Sequence, residues 1–189
     1  MKASNRCINM IKQFEGFCGT AYKCVSTEEY YTIGYGHYSK DIKKGQKITK
    51  EDAEKLLLKD IAKFERHVNS YDDKYKWSQN EFDALVSFAF NVGSIKQLTA
   101  DGTRNKSEIA AKMLSYNKSG GRILPGLSTR RKNEQMLFMT KDPDIESYLN
   151  CIKEVFAGSL GNGSVRKNNI EKMGLDYNKV QKIINILSH

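Results

Sequence analysis

The stretch FEGFCGTAYKCVSTEEYYTIGYGH, from Phe14 to His37, concentrates residue types able to do chemistry. Glu15 follows an apolar Phe14. A carboxyl among apolar neighbours can hold its proton near neutral pH and act as a general acid. Cleaving a glycosidic bond needs such an acid and a second group that activates water or stabilises the sugar cation. Cys24, Ser26, Thr27, Glu28, Glu29, Thr32 and His37 are the candidate partners. Other chemistries fit less well. The cysteines, Cys7, Cys18, Cys24 and Cys151, show no C-x2-C spacing, and His37, His67 and His189 form no companion cluster, so no metal is expected. Gly34 and Gly36 are followed by no helix with a G-K-[ST] ending, so nucleotide binding is not expected and no cofactor is called for.

These residues must be positioned by a helix and a hairpin. In SNRCINMIKQF, Cys7, Ile8, Ile11 and Phe14 recur at helical spacing, with Ser4 or Asn5 as N-cap, which leaves Glu15 at the helix end. Residues 20–37 are rich in Thr, Tyr, Val and Ile around a polar 26–29, which predicts a hairpin or small meander with a third short strand beyond. From Thr49 the pattern turns helical. Thr49 and Ser78 are cap signals, Gly93 is a stop, and further helices are predicted near 94–98, 106–117 and 128–140. TKDPDIESYLN marks a boundary. The expected organisation is a catalytic domain over 1–141, a linker over 142–147 and a small unit over 148–189 with helices near 147–157, 163–173 and 176–187. The fold class is α+β, mostly helical with a small antiparallel β lobe, plus a three-helix C-terminal domain.

The chain has 189 residues with a formal charge of +9, 39% hydrophobic and 28% charged, which can fill a core and is unlike a disordered chain. The basic balance favours polyanions such as nucleic acid, anionic membrane or an acidic wall polymer. No nucleic-acid motif accompanies it, so nucleic acid is not an expected partner. The opening residues carry no apolar run of signal-peptide length and no stretch approaches membrane-spanning length. The expectation is a product made in the cytoplasm, without membrane insertion, whose thiols are reduced there.

Three blocks in order carry a resemblance. E-G-x4-A-Y-x-C from Glu15 with T-I-G-Y-G-H from Thr32, then SQNEFDALVSFAFNVG, then PGLSTRRKNEQMLF, resemble the phage lysozyme family, glycoside hydrolase family 24, across most of residues 8–140. The resemblance implies a lysozyme-like fold and hydrolysis of the β-1,4 bond between MurNAc and GlcNAc, with inversion. It implies Glu15 as acid, with Cys24 at the Asp/Cys position, eight residues separating the two, and Thr32 as the third member. Seven residues, rather than five, separate Cys24 from Thr32, which places two extra at the hairpin tip. A shift by two keeps side chains on the same face. Glu28 or Glu29 would supply a carboxylate in place of Cys24 only if one left the exposed tip where both are expected. His37, Asn91, Arg130 and Arg131 are the expected substrate-binding residues, with one arginine paired to Glu15. Cys18 has no assigned role.

Beyond the boundary, VFAGSLGNGSVRKNN and GLDYNKVQKIINIL resemble the CW-seven type cell-wall-binding repeat. The resemblance implies peptidoglycan, both glycan strand and peptide stem, as the partner. Asn162, Arg166, Tyr177 and Gln181 are the expected contacts, with Arg166 clamping a stem carboxylate. The whole then reads as an endolysin, released from the cytoplasm through a holin, working as a monomer or weak oligomer. A lytic transglycosylase on the same bond, or an inactive wall-binding protein, are the competing readings.

Overall fold

In the computed structural model, which describes residues 1–143 and 145–188, the chain begins with helix α1 (Asn5–Glu15). Its apolar stripe buries Cys7 and Ile11. A three-stranded antiparallel sheet follows in the order β1 (Cys18–Tyr22), β2 (Tyr31–Gly34), β3 (His37–Ser39). Tyr22 pairs with Thr32 and Thr32 with Tyr38, so the three form one row across the sheet, on one face as cross-strand partners are. The β1–β2 register shifts between Cys18 and Tyr22.

Helix α2 (Lys50–Asn69) starts where Thr49 accepts a hydrogen bond from the Asp52 amide. The sheet lies close to it because Gly34, at φ +68°, leaves room for Ala53. A Cβ at Gly34 would sit 2.9 Å from the Ala53 Cβ. The short α3 (Asp72–Tyr75) leads into α4 (Gln79–Val92), which opens with a capping box between Ser78 and Glu81 and ends at Gly93, φ +96°. Helix α4 carries Phe82, Leu85, Val86 and Phe88 through the middle of the core, so truncating Phe88 to alanine would cost about 3–5 kcal/mol. Around it pack α2 and, after α5 (Lys106–Met113) and the two-residue strands β4 (Lys118–Ser119) and β5 (Arg122–Ile123), helix α6 (Pro125–Met139).

The predicted helix at 94–98 is absent. A single α-turn forms there, closed by the Thr99 amide on the Ile95 carbonyl, and Ala100 and Asp101 then take positive φ. Local hydroxyl bonds from Ser94 and Thr99 compete with helix propagation. Helix α6 also begins three residues before its predicted start, because Pro125 is preset for a first helical position.

The chain divides into two compact units, one of Met1–Ala3 and Cys7–Thr140, the other of Ser4–Arg6 and the residues from Lys141 on. The second holds α7 (Ile145–Phe156), α8 (Gly163–Lys172) and α9 (Tyr177–Leu187). Of the stretch 142–147 expected as a linker, Asp144 lies outside the described residues, and α7 takes in Ile145 to Ser147. Its core is Cys151, Ile152, Val155, Leu160, Ile170, Leu175, Val180 and Ile184, whereas Phe156 and Leu187, which helical spacing would also put inside, are exposed. His189 lies outside the described residues.

Candidate active site

Helix α1 stops at Glu15 because Gly16 follows in the left-handed region, φ +69°, its amide closing the last turn on the Lys12 carbonyl. The Glu15 side chain is thereby left partly exposed, facing the sheet and α6. Its Oε1 accepts a hydrogen bond from Arg130 Nη1 at 2.6 Å. Its Oε2 faces the turn between β2 and β3, where a Cβ on Gly36 would lie 3.6 Å away.

Arg130 is held in turn. Its Nε donates to Glu134 Oε1 at 3.0 Å, its Nη2 to the Ser87 carbonyl at 3.1 Å, and its guanidinium lies 5.1 Å above the Phe14 ring. Ser87 Oγ donates to Glu134 Oε1 at 2.8 Å. Arg131 completes the cluster through Nη2, which donates to Asn91 Oδ1 at 3.0 Å and to Glu134 Oε1 at 3.2 Å. Arg131 Nε also lies 2.9 Å from Glu134 Oε2, but without the direction of a hydrogen bond, so that contact is electrostatic. Burial pushes the Glu134 carboxyl above its ordinary range, while Arg131, Arg130 and the Ser87 hydroxyl pull it back. Burial likewise draws Arg131 down, against the field of Glu134. With side chains 4% and 0% exposed, Arg130 and Arg131 are buried, one bonding Glu15 and the other Asn91. Asn91 is exposed, with its carbonyl oxygen turned to Arg131.

The sheet supplies the facing wall. Thr32 is 6% exposed, between Tyr22 and Tyr38 in the cross-strand row. Cys24 lies just past β1 and is exposed. The Tyr22 phenol is raised above its ordinary value, first by partial burial, then by Cys24 and Cys18, by a hydrogen bond with the Cys24 sulfur, and by the Glu15 carboxylate. Reading the motif for its ionisable groups alone misses Tyr22. Its place opposite Thr32 across the hairpin is the signal that finds it. His37 is turned away from this group, its Nδ1 2.7 Å from Asp60 Oδ2, tying β3 to α2. Among the described residues no cluster of His, Cys, Asp and Glu suits a metal ion.

In the second unit, Gly161 and Gly163 take positive φ on either side of Asn162, and a Cβ at Gly161 would sit 3.0 Å from Val165 Cγ1. Arg166 braces this turn, Nε to the Gly161 carbonyl at 2.9 Å and Nη2 to Asn162 Oδ1 at 2.6 Å. Tyr177 packs partly into the small core. Gln181 Nε2 donates to Asn185 Oδ1 at 2.8 Å and, with Asn178 and Lys182, lines a shallow surface groove.

Comparison with known proteins accords with both units. The phage lysozyme family model matches residues 12–134 and the CW_7 repeat model residues 151–187. The endolysin of Bacillus phage B103 is 46% identical over 147 residues, which is 74% of this chain and 55% of that protein. The endolysin of Lactococcus phage c2 is 43% identical over 141 residues, 73% of this chain and 60% of that one. The chain thus spans little more than half the length of these relatives. Among solved structures, an endolysin from Escherichia coli O157:H7 phage FAHEc1 superposes with a TM-score of 0.61 at 34% identity, covering 74% of this chain and 94% of that one. The muramidase domain of SpmX from Asticaccaulis excentricus does so with 0.65 at 32%, covering 74% and 99%. The chain belongs to the phage lysozyme family.

Proposed function

We propose that the chain is a peptidoglycan hydrolase, an endolysin that cuts the β-1,4 bond between MurNAc and GlcNAc with Glu15 as general acid. The observation that carries this reading is the clamp on Glu15. A buried arginine fixes one carboxyl oxygen while the other faces the β2–β3 turn. A group so held can meet the leaving glycosidic oxygen in one orientation, which is where positional catalysis gains most. Cys24 and Thr32 position the attacking water on the sheet side. The C-terminal unit holds the enzyme on the wall through Asn162, Arg166, Tyr177 and Gln181, and the +9 charge adds attraction to anionic wall polymers. No helix among the described residues is long and apolar enough to cross a membrane. Release to the wall falls to a separate membrane-permeabilising protein, and the enzyme works as a monomer or weak oligomer.

The test is the variant Glu15→Gln assayed on purified cell walls, with the released muropeptides analysed by mass spectrometry. Loss of at least about 100-fold in rate, the scale of a general acid, is expected, with reducing MurNAc ends from the wild type. Near-wild-type rates for the variant would refute Glu15 as the acid. Anhydro-MurNAc ends would turn the reading to a transglycosylase.

A further inference from the structure

We infer that Glu28, carried on the long hairpin tip, is the catalytic base of this site; the inference rests on the hydrolytic reading above. A thiol is a weak hydrogen-bond acceptor, whereas a carboxylate offers about four lone-pair sites to a water and its proton. The second group of an inverting glycosidase must take that proton. Cys24 is therefore the element of the site least suited to the task, and the chain places a carboxylate directly against it.

The tip is built to fold Glu28 back. The Glu28 amide closes a turn on the Val25 carbonyl at 3.1 Å, and Lys23 Nζ donates to the Glu28 carbonyl at 2.5 Å. With the backbone so fixed, Glu28 Oε2 accepts the Cys24 amide at 2.8 Å. Its Oε1 carries no hydrogen bond among the described residues. Glu28 is half-buried, whereas Glu29 is exposed. Cys24 also raises the Tyr22 phenol, as the Glu15 carboxylate does more weakly. Glu28 is thus held against Cys24, two residues past Tyr22 at the end of β1. Glu28 sits four residues beyond Cys24, within the stretch that carries the two extra residues.

In the step this assigns, a water oxygen attacks the anomeric carbon of MurNAc and gives one proton to the Glu28 carboxylate. The bond from that carbon to the glycosidic oxygen breaks, its electron pair stays on the oxygen, and Glu15 protonates it. Solvent then returns the proton from Glu28 to Glu15. One water is consumed and two hydroxyls are formed.

The experiment compares wild type, Glu28→Gln, Glu29→Gln, Glu15→Gln and the double variant Cys24→Asp/Glu28→Gln on purified walls, with pH profiles. In Glu28→Gln the amide oxygen of the new side chain can still accept the Cys24 amide, so the tip keeps its fold while the base is gone. Expected are a kcat loss of at least about 100-fold in Glu28→Gln, disappearance of the acidic limb of kcat/KM, and wild-type rates in Glu29→Gln. The double variant should regain at least about tenfold, since it restores a carboxylate beside Tyr22. An inactive Glu15→Gln with a Glu28→Gln that keeps wild-type kcat and pH profile would overturn the inference and leave the hydrolytic reading standing. A slow Glu28→Gln with an unshifted profile and no rescue would also overturn it, marking Glu28 as structural. An active Glu15→Gln would bring down the hydrolytic reading itself.

Discussion

Arg130 divides its guanidinium among three partners at once: Glu15, Glu134 and the Ser87 carbonyl. A lysine has no planar fork and cannot hold all three. Arg130→Lys keeps the charge but frees the Glu15 carboxyl to turn, and a misplacement of about 1 Å costs on the order of 10²-fold in rate. The expected outcome is a kcat lowered by about that factor on purified walls with KM little changed, because the arginine is buried and makes no sugar contact here. A KM rise at constant kcat would instead assign Arg130 to substrate. The same residue shows the reach of sequence reading. An arginine pair in GLSTRRKNE announces a partner, but the glutamate it holds is 115 positions away in the chain, and only the fold brings it near. Glu28 shows the opposite case. It reads as an exposed tip residue, and a short-range turn with one lysine contact redirects it.

At the scale of elements, His67 on α2 closes the end of α4. Its Nε2 accepts the Ile95 amide at 3.1 Å and lies 2.9 Å from Ser94 Oγ. Burial lowers its pKa below the ordinary 6.5. The folded state thus binds fewer protons than the unfolded one between the two values. The stabilisation from His67 is full above about pH 6.5 and is lost as pH falls through the folded value, where protonation also removes the acceptor. Urea unfolding of wild type and His67→Gln should show a stability gap that narrows from pH 7.5 to pH 5, and a constant gap would refute the capping account. The elements themselves were legible wherever local chemistry settled them. Thr49, Ser78 and Gly93 bound their helices as capping rules require. The segment at 94–98 was not, because its apolar Ile95 and Leu98 are buried in a turn whose shape depends on a histidine from another helix.

For the whole molecule, the two hydrophobic cores share no residue, one centred on α4 and the other on α7, α8 and α9. Each unit can therefore be assigned its own share of wall attachment. Long-range attraction from the net +9 charge is screened over about 8 Å at physiological ionic strength and fades further with added salt. Contacts of the C-terminal repeat, being short-range and directional, should persist. A chain ending at Thr140 keeps the larger core intact and should adsorb to purified walls at low salt but lose about tenfold or more of its bound fraction at 0.5 M NaCl, while the full chain stays bound. Hydrolysis of soluble glycan oligomers should be equal for the two, since Glu15, Arg130 and Glu28 all lie before Thr140. Salt curves that fall together would mean that charge alone holds the enzyme on the wall, and would remove the repeat from the account of binding.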